Sequence, residues 1–299
     1  MGGTASAYQP NVQPGELKLQ RTARHITVTG EEFVFTIDAL TGLPCGMSWH
    51  GNNLLAKPMQ YNVWRAPTDN DAAVRRDWER FGLNMLVPRV YETKAVQLKD
   101  CVEISSRVSL GWLTYHPLLH MQVTITVYGS GELSIKVDGE LTPKRPTLPR
   151  FGLRLFLPVN FQTAAFTGYG PGESYIDKHQ GTWYGSFTEQ RDENREDHIK
   201  PQESGGHVGC TQLSVCNDTN VLHIHAAQPF CFGFSAYTQE ELTTKAHNYE
   251  LEPCGSTVLC LDAKQRGIGS SSCGPEVPKE RQVCAEDLHF TLYLKPENK

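Results

Sequence analysis

Two carboxylates beside an arginine are a natural place to look for chemistry. "WRAPTDND" (64–71) brings together Trp64, Arg65, Asp69, Asn70 and Asp71. Hydrolysis of a glycosidic bond with retention needs two carboxyl groups facing each other roughly 5–5.5 Å apart. Asp69 and Asp71 alternate with Asn70, so an extended segment would place both on one face. Pro67 followed by Thr68, Asp69 and Asn70 favours a turn instead, in which the carboxylates bond nearby backbone N–H groups and Arg65. The first reading is therefore a turn that staples a loop. A catalytic pair and a role at an interface are the alternatives.

A second dense stretch, "GYGPGESYIDKHQGTWYG" (168–185), sets Tyr169, Tyr175, Trp183 and Tyr184 beside Glu173, Asp177 and His179. Aromatic faces for ring C–H groups and acids for hydroxyls are the mix that binds sugars; a glycine-rich corner closed by aromatics explains it equally well. "GIGSSSCGP" (267–275) holds Ser270, Ser271, Ser272 and Cys273. It has neither the strand–helix context nor the lysine of a phosphate loop, and Cys273 would need a histidine base to act as a nucleophile. His223 and His225 in "HIH" would share one strand face, with no third metal ligand at useful spacing.

These stretches hang on strands. Alternating apolar runs occur throughout: "HITVTG", "FVFTIDA", "CVEISSRVSL", "HMQVTITVYGSGELSIKVDGEL", "RFGLRLFLP", "VLHIHAAQ", "FCFGFSAY" and "LHFTLYLKP". "FVFTIDA" leads into a hairpin predicted to turn at Gly51-Asn52. Helical signals are short: two turns over "RRDWERFGL", and "TQEELTTKAH", where Thr238 and Glu241 have capping-box spacing. Many strands with frequent turn residues predict an all-β antiparallel sandwich. Residues 1–15 are read as a flexible lead and 16–299 as one domain, with a linker at Pro143–Pro149 and a long surface loop across Glu189–Gly206.

The net charge of -5 and pI near 6.1 give no reason to expect nucleic acid. No apolar stretch is long enough for a membrane span, and the N-terminus lacks the pattern of a secretory signal. Gly2 and Ser6 match a myristoylation pattern, but a polar lead accounts for them. Nine cysteines without a C-x-x-C pair read as buried reduced thiols in a cytoplasmic protein, where the sequon at Asn217 has no use.

Taken together, "WRAPTDND", "YGPGESYIDK", "FSAYTQEELTTKAHNYEL" and "GIGSSSCGP" occur in an order that resembles the C-terminal domain of glycoside hydrolase family 2 β-galactosidases, which in some members is a separate small chain. The likeness covers nearly everything after the lead. It implies a large β-sandwich (supersandwich) of the galactose-mutarotase-like type. It also implies that the catalytic glutamates and a magnesium site lie on a separate barrel. Such a barrel needs about 250 residues, and its strand–helix alternation is absent here. The expected role is to complete the pocket for a β-galactoside and the assembly with the catalytic domain or large subunit, with a homo-oligomer among the partners the resemblance allows and no cofactor or metal on this chain. Trp64, Arg65, Asp69, Asn70, Asp71, Ser272 and Cys273 are then the pocket or catalytic-domain contacts. Tyr169, Glu173, Tyr175 and Asp177 are candidate sugar contacts.

Two positions depart from the family pattern: Ala73 where a glycine is common, and Cys273 where many members stack a tryptophan. Two other functions compete with this one. A sugar 1-epimerase would use His179, His207 or His223 with Glu173 or Glu203. A carbohydrate-binding module would use the aromatics between Tyr169 and Tyr184.

Overall fold

A computed structural model of the chain describes residues 8–12, 15–112, 115–271, 274 and 276–299. Gly2, Ser6, Ser272 and Cys273 lie outside them. The strands are antiparallel and form two sheets. The smaller holds β1 (Lys18–Arg21), β2 (His25–Thr29), β3 (Phe33–Asp38), β4 (Leu43–Trp49) and β5 (Asn52–Asn53). Its last hairpin pairs Trp49 with Asn52, so the tip is His50-Gly51, one residue earlier than the sequence suggested. Both tip residues have positive φ, 46° and 79°, as the twist-compatible two-residue turn requires.

The larger sheet begins with β6 (Lys57–Asn62), β7 (Val87–Gln97), β8 (Cys101–Gly111), β9 (Leu119–Tyr128), β10 (Leu133–Leu141) and β11 (Arg150–Leu157). It continues with β12 (Thr163–Gly170), β13 (Trp183–Gln190), β14 (Gly206–Cys216), β15 (Asn220–Ser235), β16 (Thr257–Gln265) and β17 (His289–Asn298). Strand β15 spans the runs "VLHIHAAQ" and "FCFGFSAY" as one element. Along one edge it pairs first with β17, through Ala226, and then with β16, from Cys231. The sheet forks there into a β17-β10-β9-β8-β7 branch and a β16-β11-β6 branch. One apolar core draws on both branches and on the small sheet, with Phe35, Ile104, Ile135, Leu153 and Leu261 all buried.

The short branch is covered on both faces, and every residue of β11 is buried. Alternation gives those faces different chemistry. Phe151, Leu153, Leu155 and Leu157 enter the main core. Arg150 and Arg154 point the other way, and Asp262 and Cys260 of β16 join them by register. The polar face is closed by residues 191–205 and by α2 (Gln239–Thr244). The segment after Glu189 is thus a cover as well as a surface loop: Glu203 is buried and pairs with Arg150 at 3.2 Å.

Both expected helices form. α1 spans Ala72–Arg80 and carries Ala73 in its first turn. It ends at Gly82, whose φ is +67° and where a Cβ would come within 2.7 Å of the Trp112 ring. α2 begins at Thr238, whose hydroxyl accepts the Glu241 N–H at 3.1 Å. Only that half of the capping box forms, because the Glu241 carboxylate accepts the Glu252 N–H instead.

Candidate functional site: a loop clamped at one corner

Three of the sequence motifs meet where β16 runs out. Beyond Gln265 the chain passes through Arg266, Gly267, Ile268 and Gly269, and its backbone is held from two directions.

The first grip comes from "WRAPTDND". Arg65 is fully buried. Its guanidinium takes Asp71 in a fork, Nε to Oδ2 at 3.1 Å and Nη2 to Oδ1 at 2.7 Å. The remaining donors reach the loop: Nη1 to the carbonyl of Arg266, and Nη2 to the carbonyl of Gly267 at 3.1 Å. Asn70 extends the row, its Nδ2 donating to the Ile268 carbonyl at 2.7 Å. Asp71 is set by a tight turn, in which its Oδ2 also accepts the Thr68 N–H at 2.9 Å and the Thr68 hydroxyl at 3.2 Å. Sequence left Asp71 open between staple and catalyst; here it is buried and its oxygens are taken up by Arg65 and Thr68. Asp69 is exposed, and its N–H donates to Gln202 at 3.0 Å.

Two tryptophans build the floor. Trp78, delivered by α1, is fully buried and lies 5.6 Å from the Arg65 guanidinium. Its indole N–H donates to the Thr147 carbonyl at 2.8 Å. Trp64 meets Trp78 edge-on at 6.3 Å and donates to Thr243 of α2 at 3.1 Å. A planar, always-charged guanidinium over an aromatic face, with its fork on a carboxylate, is a rigid arrangement that lysine cannot reproduce.

The second grip comes from "GYGPGESYIDK". Asp177 Oδ1 accepts the N–H groups of Ile268 at 2.9 Å and Gly269 at 3.1 Å. Donors therefore hold the loop's carbonyls on one side while an acceptor holds its N–H groups on the other. The approach is close: a Cβ on Gly267 would fall 2.3 Å from Asp177 Oδ2. That oxygen is buried and has no partner among the described residues, and the same is true of Arg266 Nε. Burial and the neighbouring Arg65 charge hold the Arg266 pKa below its ordinary value. Past the clamp, Ser271 has φ +79°, a left-handed conformation that costs a side-chain-bearing residue roughly 1–2 kcal/mol.

The other acids and aromatics of that motif are mostly engaged in the fold. Glu173 accepts the Gly205 N–H at 2.7 Å and pairs with Lys178. Tyr175 is buried, its hydroxyl accepts the Gly206 N–H at 3.0 Å, and burial pushes its pKa well up. Tyr169 meets Tyr184 edge-on at 5.7 Å and His179 at 5.1 Å. Trp183 and Tyr184, 59% and 50% exposed, stand on β13 at the end of the large sheet's strand path.

Among the described residues, no hydrogen bond or ion pair joins His179, His207 or His223 to Glu173 or Glu203, the combinations expected of an epimerase. His207 instead pairs with Glu189 at 2.9 Å, both side chains buried, its ring flanked by Phe166 and Phe232. His223 bonds Ser214 at 2.8 Å, and His179 bonds the Tyr175 carbonyl at 2.9 Å. Among the described residues, no three His, Cys, Asp or Glu side chains gather as a metal site. No helix among them is long and apolar enough to cross a membrane.

The forked sandwich is of the galactose-mutarotase-like class. The galactose 1-epimerase of Lactobacillus acidophilus NCFM matches 95% of this chain and 99% of its own with a TM-score of 0.52, at 7% sequence identity. The match is one of fold.

Sequence carries the assignment further, because residues 29–294 match the family model described as "Beta galactosidase small chain". The chain belongs to that family. It is 35% identical over 283 residues to a β-galactosidase of Actinobacillus pleuropneumoniae, covering 95% of this chain and 28% of that protein. With a β-galactosidase of Staphylococcus xylosus it shares 33% over 246 residues, 82% of this chain and 25% of the relative. The chain thus spans about a quarter of the length of these relatives.

Proposed function

We propose that this chain is the small subunit or C-terminal domain of a β-galactosidase. It completes the galactoside pocket with the loop after Arg266, while a separate catalytic chain or domain cuts the bond. What carries this reading is the grip on both sides of that loop's backbone. Catalysis depends on groups held to a fraction of an ångström by surrounding contacts. A corner that spends a buried arginine and two aspartates on main-chain atoms is suited to positioning.

The same geometry argues against chemistry on this chain. Both oxygens of the buried Asp71 are taken up by Arg65 and Thr68, and the buried Asp177 turns one oxygen to the loop's N–H groups, so the two form neither a facing acid–nucleophile pair nor a metal cage. We propose that magnesium belongs to the catalytic partner. The surface beside the clamp suits contact with that partner. Ile199 and Tyr249 are 76% and 79% exposed on two segments joined by the Asn248 N–H, which donates to the Ile199 carbonyl at 2.9 Å. We place the protein in the cytoplasm. The eight described cysteines are free, and burial raises the thiols of Cys210, Cys231 (to about 12) and Cys260 (to about 11).

The test is hydrolysis of a nitrophenyl β-galactoside. The chain alone should give no turnover, and adding a catalytic β-galactosidase chain should give it. Turnover by the chain alone that survives repurification would contradict the proposal. Faster interconversion of freshly dissolved galactose anomers would point to the epimerase reading, which the burial of His207 and Glu189 disfavours.

A further inference from the structure

Alternation along β15 sends Leu222 and Ile224 into the core and leaves His223 and His225 on the opposite face. The register carries that face across the sheet, because His225 is partnered by Tyr293 of β17 and Tyr293 by Ser134 of β10. Glu132, buried, stands where β10 begins. The result is a shallow seat with an imidazole floor, a tyrosine wall and a carboxylate at one end.

Tyr8 of the N-terminal lead occupies it. The Tyr8 ring lies on His225 with centroids 4.0 Å apart and planes 6° from parallel, and its centroid is 5.1 Å from that of Tyr293. Burial and the adjacent Glu132 carboxylate push the Tyr8 hydroxyl pKa up. The Asn11 N–H donates to Glu132 Oε2 at 2.9 Å. The other carboxylate oxygen, Oε1, is buried with no hydrogen-bond partner among the described residues. Burial, His223 and Lys295 hold the His225 pKa below its ordinary value, which favours the neutral ring that stacks.

We propose that this seat binds a pyranose ring and that Tyr8 fills it in the free chain. A ring laid flat on an aromatic beside a buried carboxylate is the setting in which sugars are held, with C–H groups on a π face and hydroxyl donors on an acid. Tyrosine fits this seat incompletely. It has one hydroxyl, and Glu132 Oε1 goes unmatched, although leaving a buried acceptor unpaired is unfavourable. Two adjacent hydroxyls of a pyranose supply one donor for each oxygen. The seat is built on β15, β17 and β10, and its existence does not depend on the role of the clamped loop.

The experiment is calorimetric titration of the full chain and of Tyr8→Ala with methyl β-D-galactopyranoside, and separately with p-cresol. Tyr8→Ala should bind the pyranoside at least tenfold more tightly than the parent chain, and adding Glu132→Gln should abolish the gain. His225→Ala in the Tyr8→Ala background removes the stacking floor at a half-buried position, and should also abolish it without unfolding the protein. Binding of p-cresol alone would show a packing site for a phenol and overturn the proposal. So would binding of neither probe, or pyranoside binding that is indifferent to Glu132 and His225.

Discussion

Arg65 and Arg150 are both almost completely buried, and each donates Nε and Nη2 to one aspartate (Arg65 to both oxygens of Asp71, Arg150 to Oδ2 of Asp262), yet they are finished differently. Arg150 is matched by side chains alone. Asp262 takes Nε at 3.1 Å and Nη2 at 2.6 Å, and Glu203 takes Nη1. Gln265 and Asn62 bond the same two acids. Arg65 meets one aspartate and then spends its remaining donors on the carbonyls of residues 266 and 267. A guanidinium satisfied by side chains joins layers of the fold, here the polar face of β11 and β16 to the 191–205 cover. One satisfied by main-chain carbonyls sets the path of a loop. The first kind of site contributes to folding wherever it lies; the second matters where the loop's position matters.

The contrast is broken most forcefully at Arg150. Replacing it by methionine leaves two carboxylates buried without a counter-charge, and losing one partner of a buried pair costs about 3–5 kcal/mol. Urea denaturation should put Arg150→Met at the upper end of that range. Arg65→Met leaves only Asp71 exposed to the same penalty and belongs at the lower end. If the two arginines differ as described, Arg65→Met should also abolish most turnover in the proposed assembly with a catalytic chain, under conditions where both variants remain folded.

A smaller change sharpens the point. Gly267→Ala would bring a methyl against Asp177, and overpacking of this kind costs about 1–3 kcal/mol. Faster hydrogen exchange at Ile268 and Gly269 should accompany it, with the rest of the sandwich unchanged; equal loosening throughout would contradict a local clamp. Removing the α2 cap with Thr238→Ala should lower stability by about 1 kcal/mol, measurable by thermal melting. Its effect on turnover should be slight, because among the described residues α2 is hydrogen-bonded to the clamp at Thr243, by Trp64.

The final difference is in pH response. Burial raises Asp262 to about 6, against the pull of Arg150. Between about 4 and 6 the folded state therefore holds a proton that the unfolded state has lost, so this group makes stability fall as pH rises through that window. Asp262→Asn should flatten that slope. An unchanged slope would mean that Asp262 is ionised throughout.

Much of the fold could be read from local pattern. Alternation exposed the strands, and Thr238 announced α2. Strand β15 read as two runs, "VLHIHAAQ" and "FCFGFSAY", with Pro229, which lacks an N–H, between them. It is tolerated because it falls at the fork, between the last residue paired to β17 and the first paired to β16. The cover at 191–205 looked like free surface because its anchor, Glu203 on Arg150, joins residues far apart in sequence.

The clamp was half legible. Arg65 beside a Pro-Thr-Asp-Asn-Asp turn suggested a staple, and the structure supplies what is stapled. Asp177 read as a sugar contact because acids beside tyrosines invite that reading. Its bonds to Ile268 and Gly269 span 91 and 92 residues, and no spacing rule reaches that far. His207 was singled out with Glu203 or Glu173. Its partner Glu189 lies on another strand of the sheet, beyond what period-2 alternation reveals.

The most direct test is Asp177→Asn in the proposed assembly with a catalytic β-galactosidase chain, with affinity for that chain and the hydrolysis parameters measured on the same preparations. The substitution is nearly isosteric but weakens the acceptor that holds the loop's N–H groups. Assembly should be unchanged and kcat/KM reduced about tenfold or more, the loss corresponding to roughly 1.4 kcal/mol of positioning. Unchanged hydrolysis would contradict it, as would a loss explained entirely by failure to assemble.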